Sequence, residues 1–215
     1  MLLFNVVFIR SLDFFKRFCG HRIVPIEIGS MMRQKMKEEL MSFGSFADEF
    51  LQPSSQKKFW KLSENAKVAY LAQHPLFDQI PSLLQDIIIE PSLCSETSTL
   101  KNIWMGTGGT RTPLHYDSYD NLLVQIVGIK YVRIYMQSET DKLYVMRSNH
   151  SSSYGYQGNM SQIHCEEEDY DKYPLTRDAA YMETVLFPGD CLFIPSRVWH
   201  YVRSLSTSIS VNYWW

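Results

Sequence analysis

From Lys101 onward, apolar and polar positions alternate in short runs divided by glycine and proline. The runs NIWMG, NLLVQIV, KYVRIYM, ETVLF, CLFIP and SISVNYWW are rich in β-branched and aromatic residues. Gly106 to Gly109, Gly128, Pro188-Gly189-Asp190 and Ser206-Thr207 separate them as turns. Many short strands with such punctuation predict a sandwich or jelly roll. The first hundred residues have a different texture. In Ser11 to Phe18 (SLDFFKRF), Leu12, Phe15 and Phe18 share a helical face and Ser11 is placed to cap it, which predicts a short amphipathic helix. Arg22 to Ile28 (RIVPIEI) alternates and stops at Gly29-Ser30, a strand carrying one acid, Glu27. Met31 to Trp60 is rich in Met, Lys, Glu and Phe and predicts helices broken at Pro53-Ser54-Ser55. Asn149 to Pro174 is polar and turn-rich, and predicts a long surface insertion that supplies no core.

A chain of 215 residues, 45% hydrophobic and 14% aromatic, can bury a full core as one domain. Residues 1–100 would carry helical and strand elements and residues 101–215 the β core. The net charge of -2 provides no basic field, so direct nucleic-acid binding is not expected and the partner is a protein, a peptide or a small molecule. Cys19, Cys94, Cys165 and Cys191 lack C-x-x-C spacing and read as thiols of a reducing compartment. MLLFNVVFIR has no early positive charge and no small-residue cleavage site, so it reads as a buried strand or helix start of a soluble intracellular protein rather than a signal or membrane span.

The chemistry centres on His115-Tyr116-Asp117 and a distant His200. On an extended segment residues two apart point the same way, so His115 and Asp117 can present two ligands to one point. His200 follows a P-G-D turn and the apolar run CLFIP, beside Trp199. Two imidazoles and one carboxylate on one face of a metal leave open positions opposite, the arrangement of non-haem Fe(II) oxygenases. Lys130 enters an alternating strand just past Gly128. Turned into the barrel, its ammonium needs an anion, and a dicarboxylate would supply one; turned outward, it is an ordinary strand lysine.

The runs TPLHYDSYDNLLVQIVGIKYVRIY, FPGDCLFIPSRVWHYV and SISVNYWW resemble the JmjC oxygenases. RIVPIEIGS and YLAQHPLFDQIPSLLQDI resemble the branch of that family with arginyl hydroxylases and lysine demethylases, so the likeness runs from about Ser11 to the end. The resemblance implies a double-stranded β-helix of the cupin-like jelly-roll kind with N-terminal helical elements, using Fe(II) and 2-oxoglutarate on a protein or peptide substrate in the nucleus or cytoplasm. It implies that His115, Asp117 and His200 bind iron and that Lys130 pairs with the distal carboxylate of 2-oxoglutarate. Thr112 and Asn121 would add hydrogen bonds, while Tyr70, Gln73 and Trp214 would close that pocket. Glu27 and Trp104 would face the substrate, the carboxylate holding a guanidinium. Taken without the resemblance, Tyr70, Trp104 and Trp214 are equally core aromatics and Glu27 an exposed strand acid. The sequence departs from the family at Ser118, where relatives often carry proline, and at its start, where relatives carry further strand sequence. Arginine hydroxylation is the leading outcome; N-methyl-lysine demethylation, a catalytically idle binding module and a cupin-like enzyme with another metal are the alternatives.

Overall fold

The computed structural model of the chain describes residues 12–30, 36–51, 67–86, 100–146, 158–167 and 169–215. The expectations for residues 1–11, for the break at Pro53 and for Cys94 lie outside the described residues. In chain order the strands are β1 (Ile23–Ser30), β2 (Lys37–Ser42), β3 (Lys67–His74), β4 (Leu100–Gly106), β5 (Arg111–His115) and β6 (Asn121–Val127). They continue with β7 (Lys130–Tyr135), β8 (Tyr181–Leu186), β9 (Cys191–Ile194), β10 (Trp199–Ser204) and β11 (Ser208–Trp214). Seven of them form one sheet in the order β2-β1-β3-β4-β11-β6-β9, and four form a second in the order β5-β10-β7-β8. The fold is mainly β, with two antiparallel sheets, as the alternation from Lys101 predicts.

The period of two sorts side chains to the two faces of the large sheet. On one face Ile103, Met105, Leu122, Val124, Ile126, Ile209, Val211 and Tyr213 pack with aromatics of the helical turns. Those turns are α1 (Leu12–Cys19), α2 (Phe43–Phe46) with the π-type turn that follows it (Ala47–Leu51), and α3 (Leu76–Gln79). Between the sheets, Leu123, Val132, Leu186 and Val202 form a small apolar cluster. Among the described residues no helix is long and apolar enough to cross a membrane.

Three expectations need correction. In α1 it is Phe15 and Cys19 that are buried, at i and i+4, whereas Phe18 is exposed. Lys37–Ser42 is a strand and not a helix, because KEELMS pairs antiparallel with β1 from Ile28↔Lys37 to Ile23↔Ser42, and pairing overrides its helical propensity. The insertion does supply core: Ile163, Cys165 and Tyr173 are buried and pack with Leu114 and Trp199 on the outer face of the small sheet. A few well-placed apolar side chains achieve this within a polar composition.

Candidate metal centre and adjoining cleft

β5 and β10 run side by side, with His115 and His200 as direct partners. One N-bearing or O-bearing atom from each of His115, Asp117 and His200 lies within 4.8 Å of the others. His115 Nε2 is 3.7 Å from Asp117 Oδ1 and His200 Nε2 is 3.6 Å from Asp117 Oδ2. Each imidazole donates its Nδ1–H to a backbone carbonyl two residues earlier, His115 to Pro113 at 2.8 Å and His200 to Val198 at 3.0 Å. A carbonyl can only accept, so these bonds fix the tautomer and leave both Nε2 lone pairs aimed at the carboxylate, as metal ligands require. Burial, and secondly the nearby His115, push the His200 imidazolium down to about 3, so it is neutral and ready to ligate. Burial raises the Asp117 carboxyl, with His115 acting in the opposite sense. The donor set fits Fe(II).

Behind this cluster, an inner cavity is lined by Tyr70, Thr112, Asn121, Lys130, Asn212 and Trp214 together with the three ligands. Thr112 and His115 are an odd number of residues apart and would face opposite ways on a regular strand. The register shift between His200↔His115 and Val202↔Thr112 puts an extra residue into β5 at Pro113 or Leu114, a bulge that lets both line one cavity. Lys130 is 1% exposed, and its Nζ sits 5.7 Å from the centre of the Tyr70 ring. Burial alone pushes its ammonium down to about 7, with no acid among the described residues to hold it up. Asn121 Oδ1, Asn212 Nδ2 and Trp214 Nε1 are also buried without a hydrogen-bond partner among the described residues. A cation and three unpaired polar atoms around this narrow cavity of about 30 Å³ match the oxygens of a carboxylate group.

A larger cleft of about 780 Å³ opens outward from His115 and Asp117, and its lining includes Glu27, Gln73, Trp104, Tyr119 and Met160. Glu27 lies opposite Tyr70 on β3 and Glu38 on β2. Burial first and Glu38 second raise its carboxyl, and no cation among the described residues pairs with it. Gln73 belongs to this cleft and not to the inner cavity; it sits at a register shift of β3 with a left-handed φ of 46°. The fold therefore gathers every predicted site residue around two cavities that share Tyr70, Trp104, Thr112, His115, Asp117 and Trp214 in their walls. Sequence reasoning passed over Asn212, whose Oδ1 accepts from Trp104 Nε1 at 2.7 Å. The signal was there, since Asn212 is a polar residue in the otherwise apolar end of SISVNYWW.

Residues 26–215 match the family model described as a cupin-like domain. JmjC domain-containing protein F of Dictyostelium discoideum is 40% identical over 95% of this chain and 53% of its own length. Lysine-specific demethylase 8 of Xenopus tropicalis is 39% identical over 95% of this chain and 44% of its own. Jumonji C domain-containing protein 5 of Drosophila melanogaster is 37% identical, over 95% and 45%. The chain spans about half the length of these relatives.

Proposed function

The chain belongs to the cupin-like JmjC family, and from that premise we propose that it is an Fe(II)- and 2-oxoglutarate-dependent oxygenase that hydroxylates a protein side chain, arginine foremost. The observation that carries this reading is Lys130, buried beside the cluster of His115, Asp117 and His200 with no acid among the described residues raising its ammonium. A divalent metal and a carboxylate end of a co-substrate would each meet complementary groups there.

In this reading His115, Asp117 and His200 hold iron and Lys130 holds the distal carboxylate. Thr112 and Asn121 add hydrogen bonds, and Tyr70 and Trp214 close the walls, with Gln73 at the mouth. When bound, iron and 2-oxoglutarate supply the oxidising power, taking oxygen and the co-substrate to succinate, carbon dioxide and one oxygen atom in the product. The chain's own residues bind and orient. The two Nδ1–carbonyl bonds keep both Nε2 atoms unprotonated, and no side chain serves as a nucleophile. Glu27 offers a carboxylate to a cationic side chain and Trp104 an indole face, a pair suited to a planar guanidinium. A nuclear or cytoplasmic location goes with this reading, supported by free thiols at Cys19, Cys165 and Cys191.

Demethylation of N-methyl-lysine is the second reading, favoured by relatives that bear the name lysine-specific demethylase. It is the same oxidation on an N-methyl group followed by loss of formaldehyde. The test is a succinate assay with matched peptides containing arginine, lysine or methyl-lysine. A mass gain of one oxygen on the arginine peptide, reduced in Glu27→Ala while uncoupled succinate formation persists, is the expected result. Formaldehyde from the methyl-lysine peptide would promote demethylation, and absence of bound metal and of succinate would leave a binding module.

A further inference from the structure

The insertion contributes a wall of the cleft, and one residue of it stands beside the metal ligands. The segment around Met160 pairs with the end of β5: Tyr116 N donates to Asn159 O at 3.0 Å, and Ser161 N donates to Leu114 O at 2.9 Å. These two bonds flank His115 and Met160, which face each other as an isolated antiparallel bridge. A pair flanked in this way is the close, non-hydrogen-bonded kind, with Cα atoms about 4.5 Å apart and side chains on the same face. The alternation on both segments agrees. Leu114, Ile163 and Cys165 enter the core on the far side, and Ser161 is buried with its hydroxyl on Leu143 O. His115 and Met160 are thereby turned the other way, and both line the outer cleft. Met160 is half-buried and belongs to no core cluster.

The segment is held firmly enough to act as a wall. Asn159 Nδ2 donates to Tyr116 O at 2.7 Å, and Met146 N donates to Met160 O at 2.7 Å. Farther along, Glu166 accepts from Arg203 at 2.7 Å and Glu167 from Arg111 at 3.1 Å. The inner cavity does not include Met160, so its place is on the substrate side.

We infer that Met160 is a specificity-determining residue, the apolar surface against which the aliphatic stem of a cationic substrate side chain packs while Glu27 takes its charged end. This rests on the reading of the cleft as a substrate site. A thioether on an unbranched chain adapts to a methylene stem and offers nothing to a short polar side chain. The chemistry selects long side chains that end in a cation.

The test uses the full chain loaded with Zn(II) as a diamagnetic metal and with 2-oxoglutarate, its methionines carrying labelled methyl groups. The Met160 signal is assigned by its loss in Met160→Leu. N-acetyl-arginine amide is the probe, and the Trp104 indole signal serves as reference. Met160 and Trp104 should both shift with the probe. In peptide turnover with iron, Met160→Ala should raise KM about five- to tenfold and change kcat by less than about twofold, with Met160→Leu close to the parent. A shift of Trp104 without Met160, or an unchanged KM in Met160→Ala, overturns the inference and leaves the substrate cleft standing. Loss of metal binding in Met160→Ala would mean that the residue only supports the His115 strand, which also overturns it. If neither signal moves, the substrate cleft itself is wrong and the inference falls with it.

Discussion

The two faces of the large sheet are built from the same strands and differ in almost every other respect. Toward the helices, β4, β6 and β11 present Ile103, Met105, Leu122, Val124, Ile209 and Val211, all within a continuous apolar core. Toward the small sheet, the intervening positions of β6 and β11 include Asn121, Gln125, Ser208, Ser210 and Asn212, all buried, alongside the apolar Leu123 and the indole of Trp214. At one end of that inner face the polar groups satisfy one another. Thr110 Oγ1 donates to Ser204 Oγ, which shares a hydrogen bond with Ser208 Oγ. Ser210 Oγ donates to Gln125 Oε1, and Gln125 Nε2 donates to the carbonyls of Val127 and Gly128. At the other end Asn121 Oδ1, Asn212 Nδ2 and Trp214 Nε1 have no partner among the described residues, and no acid among those residues holds up the Lys130 ammonium that shares their cavity. Unpaired buried polar groups cost stability, so an interior that keeps several around one cavity is organised for something that enters it.

Mutations on the two faces should therefore fail in different ways. The largest effect is expected at the ligands. His115→Ala, Asp117→Ala or His200→Ala should abolish iron binding and turnover while circular dichroism and cooperative unfolding persist, since the core behind them is independent. Full iron occupancy in any two of these variants would break the assignment. On the helix-covered face the damage is to stability. Ile103→Ala should cost roughly 2–5 kcal/mol in urea unfolding and leave iron affinity in the remaining folded protein unchanged.

Lys130 is expected to show both signs. Lys130→Ala should weaken 2-oxoglutarate binding about 10- to 150-fold, for one charge-assisted contact of roughly 1.5–3 kcal/mol, with iron affinity intact. Lys130→Met should lose the co-substrate to a similar extent yet be more stable than the parent by roughly 1–3 kcal/mol at neutral pH, because it removes an unpaired buried ammonium. A stability decrease in Lys130→Met would indicate that the cavity supports the lysine as structure.

The smallest effect is a pH dependence. Burial pushes the Lys130 ammonium of the free protein down to about 7 from an ordinary 10.5. The cation that 2-oxoglutarate needs is then lost as pH rises through 7, and co-substrate affinity should fall about tenfold between pH 6 and 8 by calorimetry. For folding the sign is opposite. Between about 7 and 10.5 the unfolded chain keeps a proton that the folded chain has released, so this group's contribution to stability rises with pH across that window. A flat co-substrate affinity in wild type would show that Lys130 stays charged throughout.

Much of this contrast can be seen in the residue pattern, because period-two alternation writes both faces of a strand into one string. NLLVQIV and SISVNYWW each interleave the apolar face with the polar one, and His115, Asp117 and His200 stand out by residue type and spacing. What the pattern hides depends on distant pairing. KEELMS has helical composition and becomes β2 only because β1 lies beside it. The polar tract after Asn149 conceals Ile163, Cys165 and Tyr173, which pack only when the segment folds back over Leu114 and Trp199. The bulge at Pro113–Leu114 that brings Thr112 and His115 to one cavity is a matter of register with β10, and nothing local announces it. Gln73 lines the outer cleft at a register irregularity of β3 that the string AYLAQH does not announce.

The most direct test of the account is an anaerobic calorimetric titration of the purified chain, first with Fe(II) and then with 2-oxoglutarate, on the parent, Asp117→Ala and Lys130→Ala. The account predicts one iron per parent chain and one 2-oxoglutarate bound after it. Asp117→Ala should lose the iron, and Lys130→Ala should keep the iron and lose most of the co-substrate affinity. A parent chain that binds no iron, or a Lys130→Ala variant that binds 2-oxoglutarate as tightly as the parent, would contradict it.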